Sequence, residues 1–528
     1  TGFMDSPFTT AFFQVIGVLS YSFVDFMCVQ ANFNYKPPCK ATVMNALLDE
    51  LYVDAKKKVL DVLNFADFDS LVTLSMDGWK APTGQHIRNY MLVSDEITFF
   101  WTATNAGIVR PTGENIGKEA CDVIKDIGED NVAAVTNDNA QAETTSWEYI
   151  RNEYPTILCT GCTTHGGSLL FKDACDFPWA KNLIDKATTL ATFFKNHQYT
   201  AEEVRRRSMD AHNKPYCIIL PPATRFAYMY YVMKRLILLK SILREIAVSA
   251  GFEQRNFRDQ DEIHAILNSS NFWRDLEKLR LFLKPLKCFI KLMDHDCHCT
   301  HHEYNGKSRT RTRTHKNSLS LHTAGMWIVG DAWNENTAGV PLNFKRHALA
   351  KHRERWEWMT FPIHHVAYAL SPHYHNENCF AIQEVMKHVK EVFKHFSVST
   401  GSYNRALSQF ADYKNMRDPA LFPTDDKGKI KLGMSPKKWW QLHGAQFGTL
   451  QQIALRVFSI GTSSSTSERN FSTWSHIWSN RANKLDFERS KKMVFVSTIL
   501  HALHKLRGGT GRRTSVERTW LEEEIEER

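Results

Sequence analysis

The apolar positions of this chain follow two regimes. Over residues 71–160 they form short β-prone runs interleaved with helical stripes, and from Lys181 to about Ser459 the period is helical almost throughout. Leu71-Val72-Thr73-Leu74-Ser75-Met76 reads as a buried strand ending in a turn at Asp77-Gly78. Tyr90–Val93 and Thr98–Thr104 read as the next two strands of a meander. Ile116, Ala120, Ile124 and Ile127 mark a helix, and Val132–Val135 a fourth strand. A helix through Trp147 and Tyr149 and a strand near Thr156–Cys159 complete the order β-β-β-α-β-α-β. That order predicts a mixed sheet covered by helices.

The flanking regions read differently. Residues 1–68 form an N-terminal helical region in which Leu47, Leu51, Val59 and Leu63 share a face. Downstream, Met229, Val232, Leu236, Leu239 and Leu243 make one stripe. Leu276, Leu279, Leu283, Leu286 and Ile290 make another, interrupted at Pro285. Residues 294–320 are polar, basic and aperiodic, which predicts an exposed or disordered loop. Further on, Phe447, Leu450, Ile453, Ala454, Val457 and Phe458 line one helical face until Gly461. A Ser-rich turn there opens a second helix carrying Glu468 in its first turn. The expected divisions are therefore 1–68, a first core segment at 69–180, a helical insertion at 181–438, a second core segment at 439–506 and a charged tail at 507–528.

Composition narrows the class. At 528 residues the chain exceeds what one core of roughly 250–300 residues holds. Its 43% hydrophobic content is that of a globular protein. A net charge of +9 suits a polyanionic partner. Eleven cysteines, an odd number without a repeating framework, point to reduced thiols in a cytosolic or nuclear setting. No apolar run reaches the ~18 residues that a bilayer span requires. The apolar patch Ala11–Leu19 follows Asp5 rather than a basic region, so it does not read as a signal peptide.

Three carboxylates stand out: Asp77 after the first strand, Asp138 after the fourth, and Glu468 at its helix start. Hard Mg²⁺ or Mn²⁺ ions favour such oxygen donors, and two ions ~4 Å apart stabilise the attacking and leaving oxygens of phosphoryl transfer. Local readings compete at each position. Asp77-Gly78 is a turn dipeptide, Asp138 sits in an Asn-rich turn, and Ser465-Thr466-Ser467-Glu468 fits the S-x-x-E capping box. Two further clusters also carry two readings. His295, Cys297, His298, Cys299, His301 and His302 form either a zinc site or a polar loop. Arg309, Arg311 and Arg313 form either a phosphate clamp or a solvated charge run.

Several motifs together resemble the hAT superfamily of DNA transposases. They are SMDGW at Ser75–Trp79, TNDNA at Thr136–Ala140, GCTTHGGSLLFKD at Gly161–Asp173, ATRF at Ala223–Phe226, WW at Trp439-Trp440, and SSSTSERNFS with Arg481 and Leu485 beyond. Their order and spacing follow the family from about residue 7 to 505, and the SSSTSERNFS block is the most specific. The resemblance implies an α/β fold with an RNase H-like catalytic core interrupted by a large all-α insertion domain. It implies cut-and-paste transposition by metal-dependent DNA cleavage, hairpin formation and strand transfer. Asp77, Asp138 and Glu468 would then be the catalytic, metal-binding triad for Mg²⁺ or Mn²⁺. Cys162 and His165 match the family's C-x-x-H pair near the active site, and Arg225 and Phe226 match an Arg-Trp pair that handles hairpin DNA. The segment from Trp439 to Leu506 resembles the family's dimerisation region, so a nuclear homodimer or higher oligomer acting on transposon ends and target DNA is expected.

Four departures accompany the match. Phe226 replaces Trp, losing area and the indole N–H. Asn137 stands where Thr precedes the Asp. Gly166-Gly167-Ser168 is expected to add flexibility after the His. No BED-type zinc finger is present, so that DNA reader is expected to be lost or to lie ahead of residue 1. These departures suit the alternative of a catalytically decayed, domesticated DNA-binding or dimerising regulator.

Overall fold

The computed structural model describes residues 43–63, 70–81, 84–94, 98–105, 107, 110–220, 226–294, 319–426, 428, 430, 432–478 and 485–506. The protein is mixed α/β. It divides into two compact units, one of Thr1–Thr160, His395–Met416 and Met434–Arg528, the other of Gly161–Lys394 and Arg417–Gly433.

The first unit holds a five-stranded sheet: β1 (Val72–Lys80), β2 (His86–Val93), β3 (Thr98–Asn105), β4 (Val132–Asn137) and β5 (Leu158–Gly161). The strand order is β3-β2-β1-β4-β5. β1 is antiparallel to β2 and parallel to β4, with Ser75 opposite Met91 on one side and Thr136 on the other. Val72 to Met76 are all buried because both faces of this central strand are covered. β1 does not end at Asp77-Gly78. The pairing continues through Asp77–Asn89 and Gly78–Arg88 to Lys80, since the antiparallel partner supplies hydrogen bonds that a turn would forfeit.

Helices cover this sheet. The Gly113–Ile127 and Gln141–Glu153 helices pack closely, and a Cβ added at Gly117 would stand 2.6 Å from the Tyr149 side chain. The Leu48–Leu63 and Phe487–Leu506 helices meet through Tyr52 and Phe495, whose ring centroids lie 4.8 Å apart. Phe100 of β3 meets Trp474 and Phe495 edge-on, each at 6.2 Å. Trp439 and Trp440 are fully buried around Tyr413 and Phe447, so the WW motif is core.

The second unit is built from helices. Its long helix Ser270–Asp294 continues past Pro285 without a break, and Leu283, Leu286, Phe289 and Ile290 remain buried on either side. Pro285 lies beside the exposed Leu281 and Cys288, where water can reach the carbonyl that loses its N–H partner. Gly166 and Gly167 are not a flexible break. They lie inside the Thr163–Cys175 helix, where an added Cβ would come within 2.9 Å of Met359 and 2.9 Å of Ile290. The missing side chains let neighbouring helices approach. Leu319 and Ser320, expected in a loop, are buried in the Leu319–Glu335 helix. Asp294, also expected in that loop, ends the Ser270–Asp294 helix, and residues 295–318, with the histidine–cysteine cluster and Arg309, Arg311 and Arg313, fall outside the described residues.

Candidate active site

Thr73, Ser75 and Asp77 alternate along β1 and therefore share one face. Extending the Ser75–Thr136 register by two residues sets Asp77 beside Asp138, just past the end of β4. The segment from Ser459 to Ser467 is tied to this face by hydroxyls. Thr73 Oγ1 donates to the Ser459 carbonyl at 2.9 Å and accepts from the Gly461 N–H at 2.8 Å. Thr136 Oγ1 lies 2.9 Å from Thr160 Oγ1 and 3.2 Å from the Gly461 carbonyl. Ser75 Oγ and Ser467 Oγ, 392 residues apart in the chain, lie 3.5 Å apart.

The helix Ser465–Ile477 continues from this seam. Its N-cap is Ser464, whose side chain makes no cap hydrogen bond, and Ser465 is already the first helical residue. The S-x-x-E capping box is therefore not formed. The serines instead fill the interface with β1, where Thr466 and Ser467 are buried. Asn470 Oδ1 accepts from Asn89 Nδ2 at 3.0 Å, and Asn470 Nδ2 donates to Thr498 at 3.0 Å. Phe471 stacks on Trp79 with centroids 5.4 Å apart and planes at 15°. This contact joins the SMDGW and SERNFS motifs directly, two residues past Asp77 and three past Glu468.

Charge converges here. The Asp77 carboxyl is held well above its usual range, first by burial, then by the neighbouring Glu468 and Asp138. The Gly78 N–H opposes this, donating to Asp77 Oδ1 at 2.8 Å. Asp138 Oδ1 similarly accepts from the Ala140 N–H at 2.9 Å, the expected Asx turn. The Oδ2 atoms of both aspartates make no hydrogen bond among the described residues. Asp77, Asp138 and Glu468 do not all bring an oxygen within 4.8 Å of one another. A site for two ions is wider than one for a single ion, because its outer ligands serve different ions. Hard oxygens gathered around Asp77, whose carboxyl the other two raise, fit divalent cations of the Mg²⁺ or Mn²⁺ kind.

Two functional candidates carry no motif signal. Glu143, buried on the Gln141–Glu153 helix, is ion-paired with Arg88 of β2. Its other oxygen accepts from Asn137 Nδ2 at 2.9 Å, and Asn137 Oδ1 accepts from Trp147 Nε1 at 3.0 Å. Burial raises the Glu143 carboxyl and Arg88 opposes the rise. Arg88 is paired across the strands with Gly78, and Glu143 adds to the charge felt by Asp77. The usable sequence signal was the pair itself: an arginine and a glutamate within otherwise apolar positions of a strand and a helix.

The remaining candidates lie in the second unit. Cys162 is buried at the N-cap of the Thr163–Cys175 helix, its Sγ accepting from the His165 N–H at 3.4 Å. His165 is half-buried. Phe226 packs against the helical core with Lys172 Nζ 5.8 Å from its ring centroid. Arg225 and Arg481 fall outside the described residues.

Two family models match the chain. Residues 38–190 match a domain of unknown function, DUF659, and residues 414–500 match the hAT family C-terminal dimerisation region. The first contains Asp77, Asp138 and Glu143, and the second contains Glu468. No curated protein matches the sequence.

Proposed function

We infer that this chain, an hAT-family transposase or a protein derived from one, acts as a metal-dependent DNA-cleaving and strand-transferring enzyme with an RNase H-like core. The β3-β2-β1-β4-β5 order, with β1 antiparallel to β2 and parallel to β4, supports that fold assignment. The dimerisation region supports a homodimer. Among the described residues no helix is long and apolar enough to cross a membrane.

One observation carries the reading: the helix that bears Glu468 packs on the strand that bears Asp77, although hundreds of residues separate them. A hydroxyl seam, a stacked Trp79–Phe471 pair and the Asn89–Asn470 bond fix the helix there. Such a construction gathers like charges at one sheet edge, with Asp77 and Asp138 half-buried and Glu468 exposed, and is explained by a cationic occupant.

Asp77, Asp138 and Glu468 would hold Mg²⁺ or Mn²⁺, which supplies Lewis-acid stabilisation of the oxygens that exchange at phosphorus. Asp77, whose carboxyl both of the others raise, would be the ligand they share the charge with most closely. Gly78 and Ala140 N–H groups hold the two aspartates by one oxygen each, and the second oxygen of each would be the metal ligand. Arg88 neutralises Glu143, so that fourth carboxylate stays a positioning residue behind Asp77. The polyanionic substrate is DNA, at transposon ends and target, which suits the net charge of +9 and a nuclear location. Arg225, Phe226, Arg309, Arg311 and Arg313 are assigned to DNA, and Cys162 and His165 to support of the site.

A Mn²⁺-dependent cleavage and strand-transfer assay on cognate ends tests this. Asp77→Ala is expected to fall to background while remaining dimeric. Equal activity of Asp77→Ala and the parent chain would overturn the assignment. The domesticated, decayed alternative loses one support, since Gly166 and Gly167 serve tight helix packing.

A further inference from the structure

The second unit contains a group of metal-ligating side chains unrelated to the carboxylate site. His365 lies on the Pro362–Leu370 helix and is fully buried. Glu384 and His388 lie on the Gln383–Phe396 helix, four residues apart and hence on one face. One ligand atom from each of the three falls within 4.8 Å of the others. His365 Nδ1 and His388 Nδ1 stand only 2.6 Å apart, and the rings stack with planes at 10°.

That juxtaposition is costly without an occupant. A neutral imidazole carries one proton, so two facing Nδ1 atoms make a single N–H···N bond at best. His365 Nε2 is buried and has no hydrogen-bond partner. Whichever Nδ1 donates, the buried His365 Nε2 is left unsatisfied, as a lone pair in one case and as an N–H in the other; if neither donates, two lone pairs face each other. A cation between the Nδ1 atoms turns that repulsion into two bonds. Burial holds both imidazoles low, His365 at about 4, so both are in the neutral form that binds metal.

We propose that His365, His388 and Glu384 form a zinc site that staples these two helices and leaves the fourth position to water. Two imidazoles and one carboxylate are a known zinc donor set, whereas Mg²⁺ prefers all-oxygen surroundings. Bonds of ~2.0–2.1 Å in a tetrahedron put neighbouring ligand atoms ~3.3 Å apart. The two Nδ1 atoms therefore separate by some ~0.7 Å from 2.6 Å, and exposed Glu384 closes from the solvent side. The site bridges residues 371–382, whose ends it fixes.

The test uses the full chain, stripped with chelator and reloaded with Zn²⁺ or with Co²⁺ as a spectroscopic probe. The parent chain is expected to bind one zinc equivalent more than His388→Ala, measured by emission spectrometry. It should also show tetrahedral Co²⁺ d–d bands, without thiolate charge transfer, that His388→Ala lacks. Glu384→Gln, at an exposed position that leaves folding intact, is expected to weaken zinc binding by about 10–100-fold or more. Asp77→Ala is expected to retain this zinc, which separates the site from the catalytic assignment. Equal zinc stoichiometry and equal Co²⁺ spectra in the parent, His388→Ala and Glu384→Gln would overturn the proposal. So would a parent Co²⁺ spectrum dominated by thiolate bands, since that metal belongs to cysteines.

Discussion

The buried polar side chains of the two units differ in kind. In the sheet unit they are mainly hydroxyls: Thr73, Ser75, Thr136, Thr160 and the run from Thr462 to Ser467. In the helical unit they include the imidazoles of His322, His352, His364, His365 and His375. Hydroxyls both donate and accept and stay neutral across the working pH range, so they can seal a seam whose register must not vary. Imidazoles change charge near neutrality and bind soft or borderline ions. The sheet unit thus lays a largely neutral hydroxyl seam beside Asp77, Asp138 and Glu468, with the Arg88–Glu143 pair as its buried charge near the site. The helical unit places titratable groups within the packing itself, where acid and metal act on stability.

Three experiments press on this contrast. The largest effect is expected at the buried Arg88–Glu143 ion pair of the sheet site. Arg88→Met leaves Glu143 without its counter-charge and should cost ~3–5 kcal/mol in urea unfolding, while a combined Arg88→Met, Glu143→Leu chain should recover most of that loss. If the single variant unfolds like the parent, the pair is not what neutralises the floor of the site.

The next concerns acid. His322 is held well below its usual value of 6.5, first by burial and then by His364 and His365. Its Nδ1 lies 3.0 Å from Thr163 Oγ1 and its Nε2 3.0 Å from Thr360 Oγ1. The unfolded chain takes up this proton first, so the stability it contributes is present above the unfolded value and is lost as pH falls below it. The loss is ~1.4 kcal/mol per pH unit per such imidazole. Denaturant midpoints of the chelator-treated chain should fall between about pH 7 and pH 5, and His322→Gln should flatten that fall.

The smallest effect has the opposite sign. The folded-state pKa of Asp77 is raised, so its ionised form destabilises the fold at neutral pH and acid relieves the strain as pH falls through that value. Asp77→Asn should stabilise the chain by about 0.5–2 kcal/mol while abolishing cleavage. Mn²⁺ should raise the melting temperature of the parent but not of this variant. A destabilised Asp77→Asn would mean that the like charges are not what raises the carboxyl.

Much of the sheet was readable because short β-branched runs and helical stripes leave distinct periods, and each of the five strands overlaps the run that marked it, although β2 begins four residues earlier and β5 lies two residues later. The turn expected at Asp77-Gly78 failed for a tertiary reason: β2 continues to pair beyond it. Pro285 and Gly166-Gly167 misled in the same way, since local propensity favours a break and helix packing overrides it. The proximity of Glu468 to Asp77 followed from family resemblance and not from spacing, because no local pattern links positions so far apart. Arg88–Glu143 and His365–His388 stayed invisible for the complementary reason. Each joins single residues on different elements, without any repeat to mark them.

The seam between Ser75 and Ser467 also sets a schedule for the nascent polypeptide. At ~5–20 residues per second, ribosomes need roughly 20–80 s to make the 392 residues between those two serines. Throughout that interval the acidic strand end has been made and its distant helix has not. A message cut short, or a ribosome that stalls before the late serines, yields a product with the first two carboxylates and no third. Incomplete synthesis therefore leaves the three carboxylates apart, and only a finished chain can bring them together.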